Sequence, residues 1–285
     1  MEFYRNQSQL ASGLSDPRSI VDSPFGLIIS TGNCIQHYID NFYLFAGNKD
    51  SGYIDGHTTL ARFNKPTGIA IFNRTIYVCD TLNHCIRTIT NGIVKTLAGT
   101  GTEGMEDGPL LTAQFNNPTG ICIAENIIYI SESHRIRKIE DGIVTTIAGT
   151  GVAGFKDGPD AQFNTPQSLV WDDGFIYVAD TNNHRIRKIK DGIVSTYAGS
   201  DPGYTNGPSS YATFVYPTGI ACDMGNIYVS DSNCIRSIDV YEEVHWFSSI
   251  VATSLYINYD SLLALTKTTI ENVDLLLVSS TYDWD

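Results

Sequence analysis

The sequence predicts an all-β propeller-type fold on three observations: a long internal repeat, four short strand-like runs in each copy, and turn-forming residues at fixed places between them. Pro17, Pro66, Pro118, Pro166 and Pro217 lie 48 to 52 residues apart. That period is too long for leucine-rich or tetratricopeptide units and suits a four-stranded propeller blade. The clearest copies begin Phe63-Asn64-Lys65-Pro66-Thr67-Gly68, Phe115-Asn116-Asn117-Pro118-Thr119-Gly120, Phe163-Asn164-Thr165-Pro166-Gln167-Ser168 and Phe214-Val215-Tyr216-Pro217-Thr218-Gly219, with a fainter one at Asp16-Pro17-Arg18-Ser19. In the unit that opens at Phe163, strands are expected over Ser168 to Trp171, Phe175 to Ala179, Arg185 to Ile189 and Val194 to Ala198. Each run is short and rich in β-branched or aromatic residues, which is strand chemistry. Between them, Asp172-Asp173-Gly174, Asp180-Thr181-Asn182-Asn183-His184 and Lys190-Asp191-Gly192 supply the turns. Such an antiparallel meander must bury both faces, and radial stacking of blades does so.

Composition narrows the function classes. The chain has 285 residues, 42% hydrophobic and 17% charged, with 25 Gly and 10 Pro, which marks an ordered, turn-rich globular protein. Its formal net charge of −13 repels phosphate backbones and anionic membranes at long range. Met1 to Ser8 has no basic-then-apolar signal pattern, and no apolar run approaches the ~18 residues of a membrane span. The expected location is therefore cytoplasmic or otherwise intracellular, with no membrane partner, and the glycosylation patterns at Asn6 and Asn73 are read as chance matches. Cys34, Cys79, Cys85, Cys122, Cys222 and Cys234 include no CxxC pair, so free thiols are expected, with Cys79, Cys122 and Cys222 on inner strands.

Asp180-Thr181-Asn182-Asn183-His184-Arg185-Ile186-Arg187-Lys188-Ile189, then Asp191-Gly192-Ile193-Val194 and Ala198-Gly199, resembles the NHL repeat. Asp80 to Arg87 and Ser131 to Arg137 repeat the pattern, and the resemblance covers roughly residues 17 to 240. It implies a six-bladed β-propeller of four-stranded antiparallel blades, occupying residues 1–285 as one domain, with blades at about 16–50, 63–99, 115–149, 163–199, 214–249 and 250–285. The tail offers runs at Ala252 to Asn258, Ser261 to Thr266, Thr268 to Val273 and Leu275 to Ser279 for a reduced sixth blade. Residues 1–15 are expected to close the seam as an added outer strand. If the tail is a separate element, the alternative is a five-bladed ring.

Several motifs look chemical. Gly99-Thr100-Gly101-Thr102-Glu103-Gly104 and Gly149-Thr150-Gly151-Val152-Ala153-Gly154 satisfy GxGxxG. They are followed by Asp107-Gly108-Pro109 and Asp157-Gly158-Pro159, which cannot open the helix a pyrophosphate site needs, so they are read as blade connections. His84, His134 and His184 recur at the blade period, too far apart to share a metal ion, and are expected to bond within their own turns. Arg135-Ile136-Arg137-Lys138 and Arg185-Ile186-Arg187-Lys188-Ile189-Lys190 make a basic stripe, for which the resemblance implies single-stranded RNA as one alternative ligand; the net charge disfavours it, and the competing reading is that each Arg pairs with the turn acids Asp80, Glu132, Asp180 or their neighbours. The second residue of the inner strand is Thr67, Thr119 and Thr218 in three units but Arg18 and Gln167 in two others. In a six-bladed ring those two units face each other, so Arg18 and Gln167 are expected to meet over the central channel with the threonines around them.

The favoured reading is a non-enzymatic scaffold that binds a protein or peptide through its loop-bearing face. There Asp55, Asp107 and Asp157, joined by Asn206 and the turn residues Asp80, Asp180 and Asp231, are expected to form an acidic rim. No catalytic residue, metal ligand or cofactor is assigned. The competing class, also implied by the resemblance, is a channel-sited metal-dependent lyase or hydrolase. Its ligand set looks incomplete here, with only Asp22 and Asp223 beyond the Thr and Gln positions.

Overall fold

In the computed structural model, residues 8–14, 16–24, 26–239, 241–248, 252–258, 261–267 and 273–279 are described. The chain is an all-β propeller. β1 (Ser8–Leu14) precedes the first blade, which comprises β2 (Pro17–Ser23), β3 (Gly26–Thr31), β4 (Cys34–Tyr38) and β5 (Phe42–Gly47). In the second blade β6 (Gly56–His57) is an added edge beside β7 (Pro66–Phe72), β8 (Thr75–Asp80), β9 (Cys85–Thr90) and β10 (Ile93–Ala98). The third repeats this with β11 (Gly108–Pro109), β12 (Pro118–Ala124), β13 (Ile127–Glu132), β14 (Arg135–Glu140) and β15 (Ile143–Ala148). The fourth has β16 (Pro166–Asp172), β17 (Phe175–Asp180), β18 (Arg185–Lys190) and β19 (Ile193–Ala198). The fifth has β20 (Gly207–Pro208), β21 (Pro217–Asp223), β22 (Asn226–Asp231), β23 (Cys234–Ile238) and β24 (Glu243–Ser248).

Each expected run of the fourth unit is a strand, lengthened by one or two residues at its ends. The register follows the pleat: β17 sets Tyr177 against Lys188 and Val178 against Arg187 across to β18. Two-residue turns join the strands on the face away from the connections. Asn91–Gly92, Asp141–Gly142 and Asp191–Gly192 all have positive φ at both positions, near 50° and 77°, the mirror-image turn whose twist matches a hairpin. Asn, Asp and Gly stand there because they tolerate that region.

β25 (Ala252–Asn258), β26 (Ser261–Lys267) and β27 (Val273–Ser279) form one sheet with β1 on its outer edge, in the order β1-β27-β26-β25. Among the described residues the tail supplies three strands, and β1, from the segment expected to close the seam as an outer strand, completes the sheet by pairing antiparallel with β27. Most of the expected run from Thr268 to Val273 lies outside the described residues. β25 packs against both β21 and β2, the inner strands of the fifth and first blades.

Between blades, Phe63, Phe115, Phe163 and Phe214 are wholly buried. Phe163 packs with Ile136 and Ala148 of the third blade and with Leu169, Val178 and Val194 of the fourth. Burying such a side chain contributes about 1.5–3 kcal/mol. Repeated around the ring, it glues neighbouring blades and holds the inner strands around a common channel.

Candidate functional site

The five inner strands begin at one end of the channel, and their first residues crowd there. At Gly120 a Cβ would sit 2.6 Å from the Gln167 carbonyl oxygen, and at Gly68 it would sit 2.4 Å from the Thr119 carbonyl oxygen. These glycines let adjacent backbones approach, and the residue before each is turned to the mouth. The result is a cavity of about 460 Å³ whose lining includes Arg18, Ser19, Thr67, Thr119, Gln167, Ser168 and Thr218. All five side chains singled out in the sequence therefore reach one cavity.

Their hydroxyls work chiefly as latches. Thr67 Oγ1 lies 2.6 Å from Thr81 Oγ1 and donates to the Thr119 carbonyl at 2.9 Å, while Thr81 Oγ1 donates to the Pro118 carbonyl at 2.8 Å. Thr119 Oγ1 donates to the Pro166 carbonyl at 3.1 Å, and Thr181 Oγ1 to the Pro217 carbonyl at 2.7 Å. Thr218 Oγ1 lies 2.9 Å from Ser230 Oγ, within its own blade. Arg18 behaves like the threonines: Nη1 donates to the Gly32 carbonyl at 2.7 Å and to the Pro66 carbonyl at 3.2 Å, and Nη2 pairs with Asp16. Arg18 and Gln167 share the cavity, but the guanidinium is largely spent on its own and the following blade. The Gln167 amide is half-buried and makes no hydrogen bond to the described residues, so it is a mouth group left for a ligand, beside the exposed Lys65.

The acidic rim needs correction. Asp80, Asp180 and Asp231 are wholly buried. They face the equally buried Arg87, Arg187 and Arg236, as Glu132 faces Arg137, at 2.7, 2.7, 3.5 and 2.7 Å respectively. The same arginines reach Asp55, Asp157 and Asp107 at 2.5, 2.5 and 2.7 Å, and Asn206 at 2.6 Å. Those three aspartates keep 43 to 46% of their side chains exposed, yet each also accepts the backbone N–H of Thr96, Thr146 or Thr196. They clamp the connections to the outer strands rather than standing as a free anionic surface. Burial raises the pKa of Asp80, Glu132, Asp180 and Asp231, opposed by the donors around each. The guanidinium groups of Arg137, Arg187 and Arg236 lie over Phe115, Phe163 and Phe214, 5.0 to 5.2 Å from the ring centroids, and their buried Nε atoms have no acceptor among the described residues.

This arrangement dismantles the basic stripe, since Arg137 and Arg187 are interior groups. Arg185 lies over Phe155 at 4.0 Å, and Lys138 pairs with Glu140. The histidines bond to the next blade rather than within their own turns. His84 and His134 Nδ1 accept the backbone N–H of Asn117 and Thr165, both at 3.3 Å, and His184 Nδ1 lies 2.6 Å from the Val215 carbonyl. All six cysteines are free. Cys79 lies on β8, a second strand, while Cys122 and Cys222 are on inner strands. Burial pushes the Cys222 and Cys234 thiols up to about 12, away from reactive thiolate. Neither GxGxxG stretch leads into a helix; both remain connections. Among the described residues, no three His, Cys, Asp or Glu side chains are grouped to hold a metal ion, and no helix is long and apolar enough to cross a membrane.

The NHL repeat family model matches residues 63–89 and 163–189, the Phe-to-Ile span that carries Phe63, Asp80 and Arg87 in one copy and Phe163, Asp180 and Arg187 in the other. Two of its repeat units match the NHL repeat. Over 62 residues the chain is 48% identical to NHL repeat-containing protein 2 of Gallus gallus, a stretch that makes up 21% of this chain and 8% of that protein. The propeller is also similar to a solved gluconolactonase of Xanthomonas campestris, with TM-score 0.68 and 13% identity over 96% of this chain and 89% of that one. A streptogramin B lyase structure gives TM-score 0.57 and 13% identity over 96% and 97%. At such identities the likeness is one of fold. The pairing of each arginine with a turn acid was within reach of the sequence, and the element it missed is the second partner, Asp55, Asp107, Asp157 or Asn206, supplied by the connection. Its signal is the recurrence of Asp or Asn 30 to 32 residues ahead of Arg87, Arg137, Arg187 and Arg236.

Proposed function

We propose that this protein is a non-enzymatic binding module that takes a protein or peptide across its loop-bearing face, centred on the channel mouth. The ring is read as six-bladed and as one domain, with β25 standing between β21 and β2 and β1 closing the last sheet. The carrying observation is the chemistry of the mouth. Among the described residues lining it, Asp16, Arg18 and Lys65 alone are ionisable, and the first two pair with each other. The Thr67 and Thr119 hydroxyls are held by neighbouring blades, that of Thr218 by its own, and the Gln167 amide remains open, which suits hydrogen-bonded recognition of a polar group more than proton transfer. The lactonase and lyase among the structural neighbours keep a channel enzyme as the competing class, supported by fold likeness.

The test is affinity capture on the immobilised chain with mass-spectrometric quantitation. Proteins enriched on the wild type are expected to fall at least tenfold on Gln167→Arg, which fills the mouth, and to be retained on Lys95→Glu, an exposed outer-strand control. Enrichment indifferent to Gln167→Arg would overturn the reading.

A further inference from the structure

The outer edge of a blade is a row of unpaired backbone groups, and four of the five repeat blades cover part of it. In the second, β6 pairs with β10 through His57 with Ile93 and Gly56 with Val94. In the third and fifth, Gly108–Pro109 and Gly207–Pro208 do the same for β15 and β24. In the fourth, Gly158 and Val194 exchange both backbone hydrogen bonds, at 2.8 and 3.3 Å. The cover always comes from the long connection that leads into that blade.

The first blade cannot be covered this way. β1 ends at Leu14 and β2 begins at Pro17, so two residues replace a connection of seventeen or more. Among the described residues no strand lies beyond β5 in its sheet. Its sequence, Phe42-Tyr43-Leu44-Phe45-Ala46-Gly47, contains no charge and no proline, the usual devices that stop an edge from pairing. Tyr43 and Leu44 are 46% and 56% exposed, and Ile39 just before the strand is 61% exposed.

We infer that β5 is a self-association edge, taken by the β5 of a second copy of this chain in antiparallel, two-fold pairing. The absence of charge along the strand means that no like charges are opposed when it meets itself, although each copy carries −13 overall. The Gly47 N–H already donates to the Thr58 carbonyl at 2.9 Å, and Ala46 and Gly47 are buried, so the edge left to pair is Phe42 to Phe45; about 13 Å of strand is a small interface, so the dimer is weak and concentration-dependent. Its salt response follows from the same facts. Salt screens the repulsion between two acidic bodies and leaves an uncharged contact untouched, so association strengthens as salt rises.

Sedimentation equilibrium of the full chain, from micromolar to near-millimolar concentration at low and high salt, provides the test. The weight-average mass is expected to climb from 31.3 kDa toward double, and further at high salt. Leu44→Lys, at an exposed position, is expected to weaken the dimer at least tenfold with an unchanged melting temperature; Tyr43→Lys serves if that variant folds poorly. A single-copy mass at every concentration, whatever other segment takes the edge, would overturn the inference, as would a dimer that both lysine variants leave intact.

Discussion

Arg187→Met is expected to destabilise the protein by about 3–5 kcal/mol, the cost of removing one partner from a buried ion pair. Arg187 is wholly buried, 2.7 Å from Asp180 and 2.5 Å from Asp157, and it donates to the carbonyls of Gln162 and Lys156 at 3.0 and 2.8 Å. Methionine fills part of the volume but leaves the Asp180 carboxylate without a cation. The loss depends on pH with a definite sign. Burial already raises the Asp180 pKa, and Arg187 is one of the groups that pull it back, so the variant raises it further. The folded variant then binds a proton more tightly than the unfolded chain, whose carboxyl titrates near ~3.9. The stabilisation that protonation returns is complete below the unfolded value and lost as pH rises through the folded one. Urea unfolding of wild type and variant at pH 8 and pH 5 should show the smaller difference at pH 5. An equal difference at both would place Asp180 in a more solvated setting than the structure gives it.

Phe163→Ala is the second large effect, about 3–5 kcal/mol for emptying a closed aromatic site. Phe163 is wholly buried between the third and fourth blades, and its ring lies beneath the Arg187 guanidinium at 5.0 Å. The two sites touch, so the double variant should lose less than the sum of the singles. Phe163→Leu should restore a substantial part of the loss, as thermal melts would register; equal losses for Ala and Leu would mean that the blades do not close on this ring. The same interface carries the bond from Thr119 to the Pro166 carbonyl, so loosening it also loosens the mouth.

The blades were legible because two local signals agree: period-2 apolar runs mark the strands, and Asn-Gly or Asp-Gly pairs with positive φ mark the hairpins between them. The mouth was legible for a related reason. The residue after each inner-strand proline is fixed in register by the repeat, so Arg18, Thr67, Thr119, Gln167 and Thr218 fall on one cavity once the blades are aligned. What could not be read from runs alone was the second partner of each arginine, which the connection supplies. Asp157 meets Arg187 because a connection folds back over the outer strands, and period-2 reasoning assigns both to the surface. His184 was misassigned for the same reason, its acceptor being in the next blade. β1 stands where residues 1–15 are expected, on the outer edge of the last sheet, paired with β27 more than 250 residues away in the chain.

Hydrogen exchange of the chain alone and with its captured partner tests the central claim, that recognition occurs at the channel mouth. Protection is expected at the amides of residues 16–19, 65–68, 116–120, 165–168 and 216–219, where the inner strands begin. Protection confined to the opposite turns, Asn91–Gly92, Asp141–Gly142 and Asp191–Gly192, with the mouth amides unchanged, would contradict it.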